Sequence, residues 1–173
     1  MDNTPTSVFL KAEWRKLIIA NYTVEPGKLM KYLPAKTELD QYEGSVYVSL
    51  VGFMFRKVRV KGILIPFHTI FPEVNLRFYV RFKEKGEWKR GVVFISEIVP
   101  RPAITLVANT LFNEHYISLP MRQTEEIAGG NLQVGYGWRY QRKWNELYVE
   151  ANIYAQPLLS GSKEEFITEH FWG

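Results

Sequence analysis

The sequence predicts a mainly β domain, with antiparallel strands closed or nearly closed into a barrel and two or three short helices at its periphery. Three observations carry this. Runs of β-branched and aromatic residues recur along the chain, broken by Gly, Pro and charged turns. Several of these runs alternate strictly. In FPEVNLRFYVRF, Val74, Leu76, Phe78, Val80 and Phe82 fall on one side and Glu73, Asn75, Arg77, Tyr79 and Arg81 on the other. At 173 residues, with 46% hydrophobic and 15% aromatic content, the chain can build one substantial core but not two comfortable ones. Residues 1–173 are therefore expected to form a single domain.

Arg15 to Val24 reads as the first strand. Pro26 suits the first turn of a helix running to about Tyr32, where a proline N–H would go unpaired anyway. Ser45 to Arg56, Arg56 to Ile65 and Glu73 to Phe82 follow as strands. The turn Lys83-Glu84-Lys85-Gly86-Glu87 leads into another, Lys89 to Val99. Ala103 to Asn113, behind Pro102, reads as a helix with Ile104, Leu106, Val107 and Leu111 available for a buried face. Tyr116 to Leu119, Asn131 to Gln141 and Asn145 to Tyr154 complete the strands. Ser162, with Glu165 three places on, is a capping box that opens a helix through about Thr168. The ending His170-Phe171-Trp172-Gly173 reads as a C-terminus cut short, or as one that another chain must cover.

Composition excludes several classes of function. Lys and Arg number 22 against 18 Asp and Glu, a formal charge of +4 with no basic block, so a nucleic-acid partner is not expected. The absence of cysteine removes disulfides and thiolate metal sites and fits a reducing compartment. No apolar run approaches the roughly 18 residues of a membrane helix. A cytoplasmic protein without a membrane partner is the expectation. His68, His115 and His170 are far apart and share no metal-binding spacing, so neither metal nor cofactor is expected. No serine-nucleophile or phosphate-binding motif occurs.

Three features invite chemistry. Glu97 interrupts Val92 to Val99, a run that otherwise reads as buried on both faces; a carboxylate there must find a cation or hydrogen-bond donors, or take up a proton. Arg77, Arg81 and Arg101 are the arginines at hand, and a structural ion pair is the more ordinary outcome. The polar side of Glu73 to Arg81 either faces water or lines a cavity. Gly135 and Gly137 share one side of their strand, which suits curvature or leaves clearance for a ligand.

Several short motifs in common order over about residues 9 to 125 resemble acetoacetate decarboxylase. More closely, they resemble uncharacterised bacterial proteins of the same fold. These motifs are Trp14-Arg15-Lys16-Leu17 to Tyr22, Leu29 to Leu33-Pro34, Phe71-Pro72-Glu73 and Pro102-Ala103-Ile104. The resemblance implies a barrel with an internal pocket, in which Arg15 stands where the family has a substrate-contacting arginine and Glu73 where it has a pocket carboxylate. The family's habit of assembling implies a homodimer.

In Tyr116-Ile117-Ser118-Leu119-Pro120-Met121-Arg122, Met121 and Arg122 occupy the places of the decarboxylase's two catalytic lysines. A thioether offers no amine, so Schiff-base decarboxylation is not expected. The leading expectation is a barrel protein that binds a small organic acid or carbonyl compound through Arg15, Glu73, Arg77, Glu97, Tyr116, Met121 and Arg122. Two alternatives stand beside it. One is a lyase- or hydratase-type enzyme using Glu73 and His115 as acid and base. The other is a structural protein whose cavity its own side chains fill.

Overall fold

The computed structural model describes residues 10–60, 63–64, 69–112 and 115–170. Long alternating runs form long strands. β1 (Leu10–Thr23), β3 (Tyr47–Val60), β5 (Ile70–Glu84) and β6 (Glu87–Val99) make the antiparallel centre of a seven-stranded sheet. Short β2 (Thr37–Leu39) joins β5 and β4 (Ile63–Leu64) joins β3. The expected strand from Arg56 onward is thus the continuation of β3 to Val60, then β4. His68 lies outside the described residues.

Behind β6, the helix α1 (Pro102–Phe112) carries the chain back, so β7 (Tyr116–Ser118) pairs parallel to β6. Pro120 cannot donate to a ladder, and there the chain leaves the sheet. A second, three-stranded sheet follows, formed by β8 (Met121–Ala128), β9 (Asn131–Tyr140) and β10 (Lys143–Asn152). The expected closed antiparallel barrel is therefore corrected to two stacked sheets, the larger one mixed. Among the described residues no ladder joins β7 back to β1. β8 was not expected as a strand because it is polar, and all its residues but Met121 are exposed.

The two sheets meet through Ile18, Met54 and Val74 on one side and Val134, Tyr136 and Leu147 on the other, with Met121 and Trp138 packed against them. Tyr136 closes this contact. Its ring covers Gly52, where a Cβ would lie 2.5 Å from Tyr136 Cδ2, and its hydroxyl donates to Lys16 O at 2.7 Å. Lys16 (φ 52°) sits at a bulge between Arg15 and Ile18 that turns its carbonyl toward that hydroxyl.

Helices pack on the opposite face of the large sheet. Ile104 of α1 joins Val51, Phe53, Phe55, Phe71 and Val99. Leu106, expected on the buried side, is 69% exposed. At the other end Phe166 and Ile167 of α2 (Lys163–Thr168) pack on Tyr79. The Ser162 cap forms, its Oγ accepting from Glu165 N at 3.1 Å, while the Glu165 carboxylate reaches one residue past the cap and accepts from Gly161 N at 2.6 Å. The helix expected from Pro26 is instead two 3₁₀ turns, Pro26–Lys28 and Met30–Tyr32. Gly27 interrupts any longer register.

Candidate functional site

Both faces of β5 are buried. Its apolar side supplies Val74 to the intersheet core, while Glu73, Asn75, Arg77 and Tyr79 lie beneath the helices at 8% exposure or less. Cross-strand pairing collects their partners. Asn75 faces Glu97 on β6, Arg77 faces Ser49 on β3, and Glu97 faces Tyr116 on β7. The polar strip from residue 73 to residue 79 spans roughly 20 Å.

At one end, Glu73 accepts from Asn75 Nδ2 at 3.0 Å and from the Tyr116 hydroxyl at 3.3 Å. The Glu97 carboxylate lies near enough for its charge to act on that hydroxyl. Burial first, then the charges of Glu73 and Glu97, pushes the Tyr116 phenol far above its ordinary range. Further along, Ser49 Oγ donates to Asn21 Oδ1 at 2.5 Å, and the Tyr79 hydroxyl donates to Ser49 Oγ at 2.6 Å. Arg77 lies over the Tyr79 ring at 5.7 Å. Two buried polar atoms within the strip have no hydrogen-bond partner: Arg77 Nε and Asn75 Oδ1. Arg81 turns to Glu38 at 3.1 Å and Arg101 is exposed, so Arg77 is the arginine that shares the buried face of Glu97.

A second charged group lies under α2. Asp40 Oδ2 meets Arg90 Nε and His170 Nε2, each at 3.1 Å. The Tyr79 ring packs 4.8 Å from that of His170. A separate groove of about 300 Å³, lined by Thr23 to Pro26 and Gly44 to Val46, holds none of the candidate residues. Among the described residues, no cluster of His, Asp and Glu is placed to hold a metal ion, and no helix is long and apolar enough to cross a membrane.

A family model described as an uncharacterized conserved protein, DUF2071, matches residues 11–173. The chain belongs to the DUF2071 family. This DUF2071 chain is 31% identical over 114 residues to the uncharacterized protein YqjF of Bacillus subtilis (strain 168), a match covering 65% of the chain and 46% of that relative. The crystal structure of acetoacetate decarboxylase from Legionella pneumophila superposes with a TM-score of 0.61 at 15% identity, over 93% of this chain and 55% of that one. The enduracididine biosynthesis enzyme MppR, complexed with pyruvate, gives 0.57 at 13% identity, over 79% and 55%. The DUF2071 chain thus spans about half the length of the relatives it matches. It shares the acetoacetate decarboxylase-like fold.

In the DUF2071 fold, Glu73, Glu97 and Tyr116 come together, and Arg77 lies further along the same buried face of β5. The other candidates do not. Met121 packs in the intersheet core, on the opposite face of β5 from Glu73. Arg122 points out of the second sheet, 53% exposed, paired with Glu146 at 3.3 Å and lying over the Trp144 ring at 4.9 Å. Its side chain also covers Gly137, and Tyr148 covers Gly135, so neither glycine leaves clearance for a ligand. Arg15 is 60% exposed and bound to Glu13, which Lys57 and Arg15 together hold below the usual carboxylate range. His115 is exposed, its carbonyl accepting from Glu97 N at 3.2 Å. Ser49, Asn21 and Asn75 were missed as site residues, because only the ladder register brings three short polar side chains beside Arg77.

Proposed function

We propose that the polar strip beneath α1 binds a small organic acid or carbonyl compound, with Arg77 meeting its anionic or carbonyl oxygen. Asn75, Glu73, Glu97 and Tyr116 frame it. The buried Arg77 Nε, a donor without a protein acceptor, carries this reading. An unmet buried donor costs about 1–3 kcal/mol, more for a charged group, and a ligand oxygen would recover that cost. Asn75 Oδ1, equally buried and equally unmet, offers an acceptor two residues away. The pyruvate complex of MppR supports the reading at the level of fold, since a similar fold holds a small keto acid there.

Covalent capture by lysine is not part of this proposal. Position 121 is methionine, and none of the lysines whose side chains are described is buried. The second reading is an enzyme working by acid and base without an amine, and the bond from the Tyr116 hydroxyl to buried Glu73, with Glu97 opposite Tyr116 in the ladder, favours it.

Thermal melts with pyruvate and acetoacetate test the binding reading. At about a hundred times Kd, the ligand should add about 2.7 kcal/mol of stability, a rise of several degrees in Tm. Arg77→Met should lose the rise while keeping the side chain's bulk. Equal shifts in both proteins, or none in the wild type, would remove Arg77 from the role. Borohydride reduction in the same mixtures should leave the protein mass unchanged.

A further inference from the structure

We propose that the polar strip selects a hydroxy acid, and that Asn75 is the residue that recognises its hydroxyl. This rests on the binding reading above and names the class of compound the site takes.

The two ends of the Asn75 amide are told apart by their surroundings. Nδ2 donates to Glu73 Oε1 at 3.0 Å, while Glu73 Oε2 accepts from the Tyr116 hydroxyl at 3.3 Å. Two donors suit a carboxylate, and turning the amide over would set its oxygen against another acceptor. The amide is therefore held one way round, with Oδ1 presented as a fixed acceptor. The residue is 3% exposed, and no donor of the protein reaches that oxygen. Val51, opposite Asn75 on β3, has none to offer. Two positions on, along the same face of β5, Arg77 is 8% exposed and its Nε–H lacks an acceptor. Neighbours on one face of a strand lie roughly 7 Å apart at the backbone, so a single small molecule can lie against both.

The unmet pair is one donor and one acceptor, and this asymmetry points to the compound. A carboxylate or ketone oxygen accepts from Arg77 Nε but has no hydrogen to give Asn75 Oδ1. A hydroxyl has one. A compound that carries both a carboxylate and a hydroxyl answers both buried atoms, whereas a plain keto acid leaves Oδ1 as it was. An ammonium group also donates, but it brings a charge and three N–H groups into a buried face, of which Oδ1 meets one. A site with a buried partner for a hydroxyl discriminates against the analogue that lacks it, because that partner then stays unpaired.

Calorimetric titration with matched pairs of acids tests this: lactate with pyruvate, and 3-hydroxybutyrate with acetoacetate, each hydroxy acid as separate enantiomers. The members of a pair share a carbon skeleton and a carboxylate and differ only in hydroxyl against ketone. At least one hydroxy acid should bind the wild type about tenfold or more tightly than its keto partner. Asn75→Leu keeps most of the bulk and removes the acceptor, so both members of that pair should bind it equally. 2-Fluoropropanoate has the shape of lactate without a donor; it should bind the wild type as weakly as pyruvate, and it serves if Asn75→Leu does not fold. Equal affinities within both pairs overturn the selection of a hydroxy acid and leave the binding reading standing. So does alanine or 2-fluoropropanoate binding as tightly as lactate, or a preference that survives Asn75→Leu. If none of the acids binds, both readings fall.

Discussion

The carboxylate of Asp40 lies 3.1 Å from Nε2 of His170, a residue 130 positions further along the chain, and the pair ties the end of α2 to the sheet. The other ring nitrogen, Nδ1, is 2.7 Å from Phe166 O. A carbonyl and a carboxylate only accept, so both bonds form together when the ring carries both protons.

This arrangement predicts a pH dependence. Burial works to raise the Asp40 carboxyl, but the His170 hydrogen bond, the Arg90 and His170 charges and the Gln41 N–H overcome it and hold the carboxyl below its usual range. A depressed carboxyl contributes stability above its unfolded value, about 3.9, and loses it as pH falls through the lower folded value. Asp40→Asn should cost roughly 3 kcal/mol near neutral pH by leaving His170 without its partner. Urea melts at several pH values should show the gap to wild type widest near neutrality and closing below about pH 4. A gap independent of pH would rule the carboxylate out.

Gly52 and Tyr136 form the tightest contact between the sheets, with 2.5 Å from a built Cβ to the ring. Gly52→Ala should destabilise the fold by roughly 1–3 kcal/mol through overpacking. Tyr136→Phe, which loses only the bond to Lys16 O, should cost about 1 kcal/mol. Chemical denaturation of both variants and of the double mutant should show strong non-additivity, since the two residues touch.

Arg122 gives a prediction of the opposite kind. Arg122→Ala should leave the response to small carboxylates unchanged and cost at most about 1 kcal/mol, the worth of an exposed ion pair and a cation lying over Trp144. Loss of the ligand-induced rise in Tm would return Arg122 to the site.

Much of the strand content was legible because alternation has a period of two in sequence as in space. The run Glu73 to Phe82 lies within β5, and Lys89 to Val99 within β6. The cap at Ser162 was legible for the same local reason. β8 was not, since an exposed edge strand needs no apolar pattern, and the turns after Pro26 carried a helix signal that Gly27 interrupts. Of the candidate site, Glu97 stood out as an acid in an apolar run, and it is buried at 4% exposure. The burial of Glu73's face could not be read, because the same alternation describes a wet face and a covered one.

Taken alone, the sequence determined most of the strands, the alternation of β5, the absence of a lysine at position 121 and the acids available for chemistry. These are properties of residues and their near neighbours. Only the tertiary structure decided that the large sheet stays open, that Met121 and Arg122 turn away from Glu73, and that the Tyr116 hydroxyl meets Glu73. Each of those depends on strand register and on which face a helix covers. Contacts between residues tens of positions apart set both, and side-chain periodicity is indifferent to them.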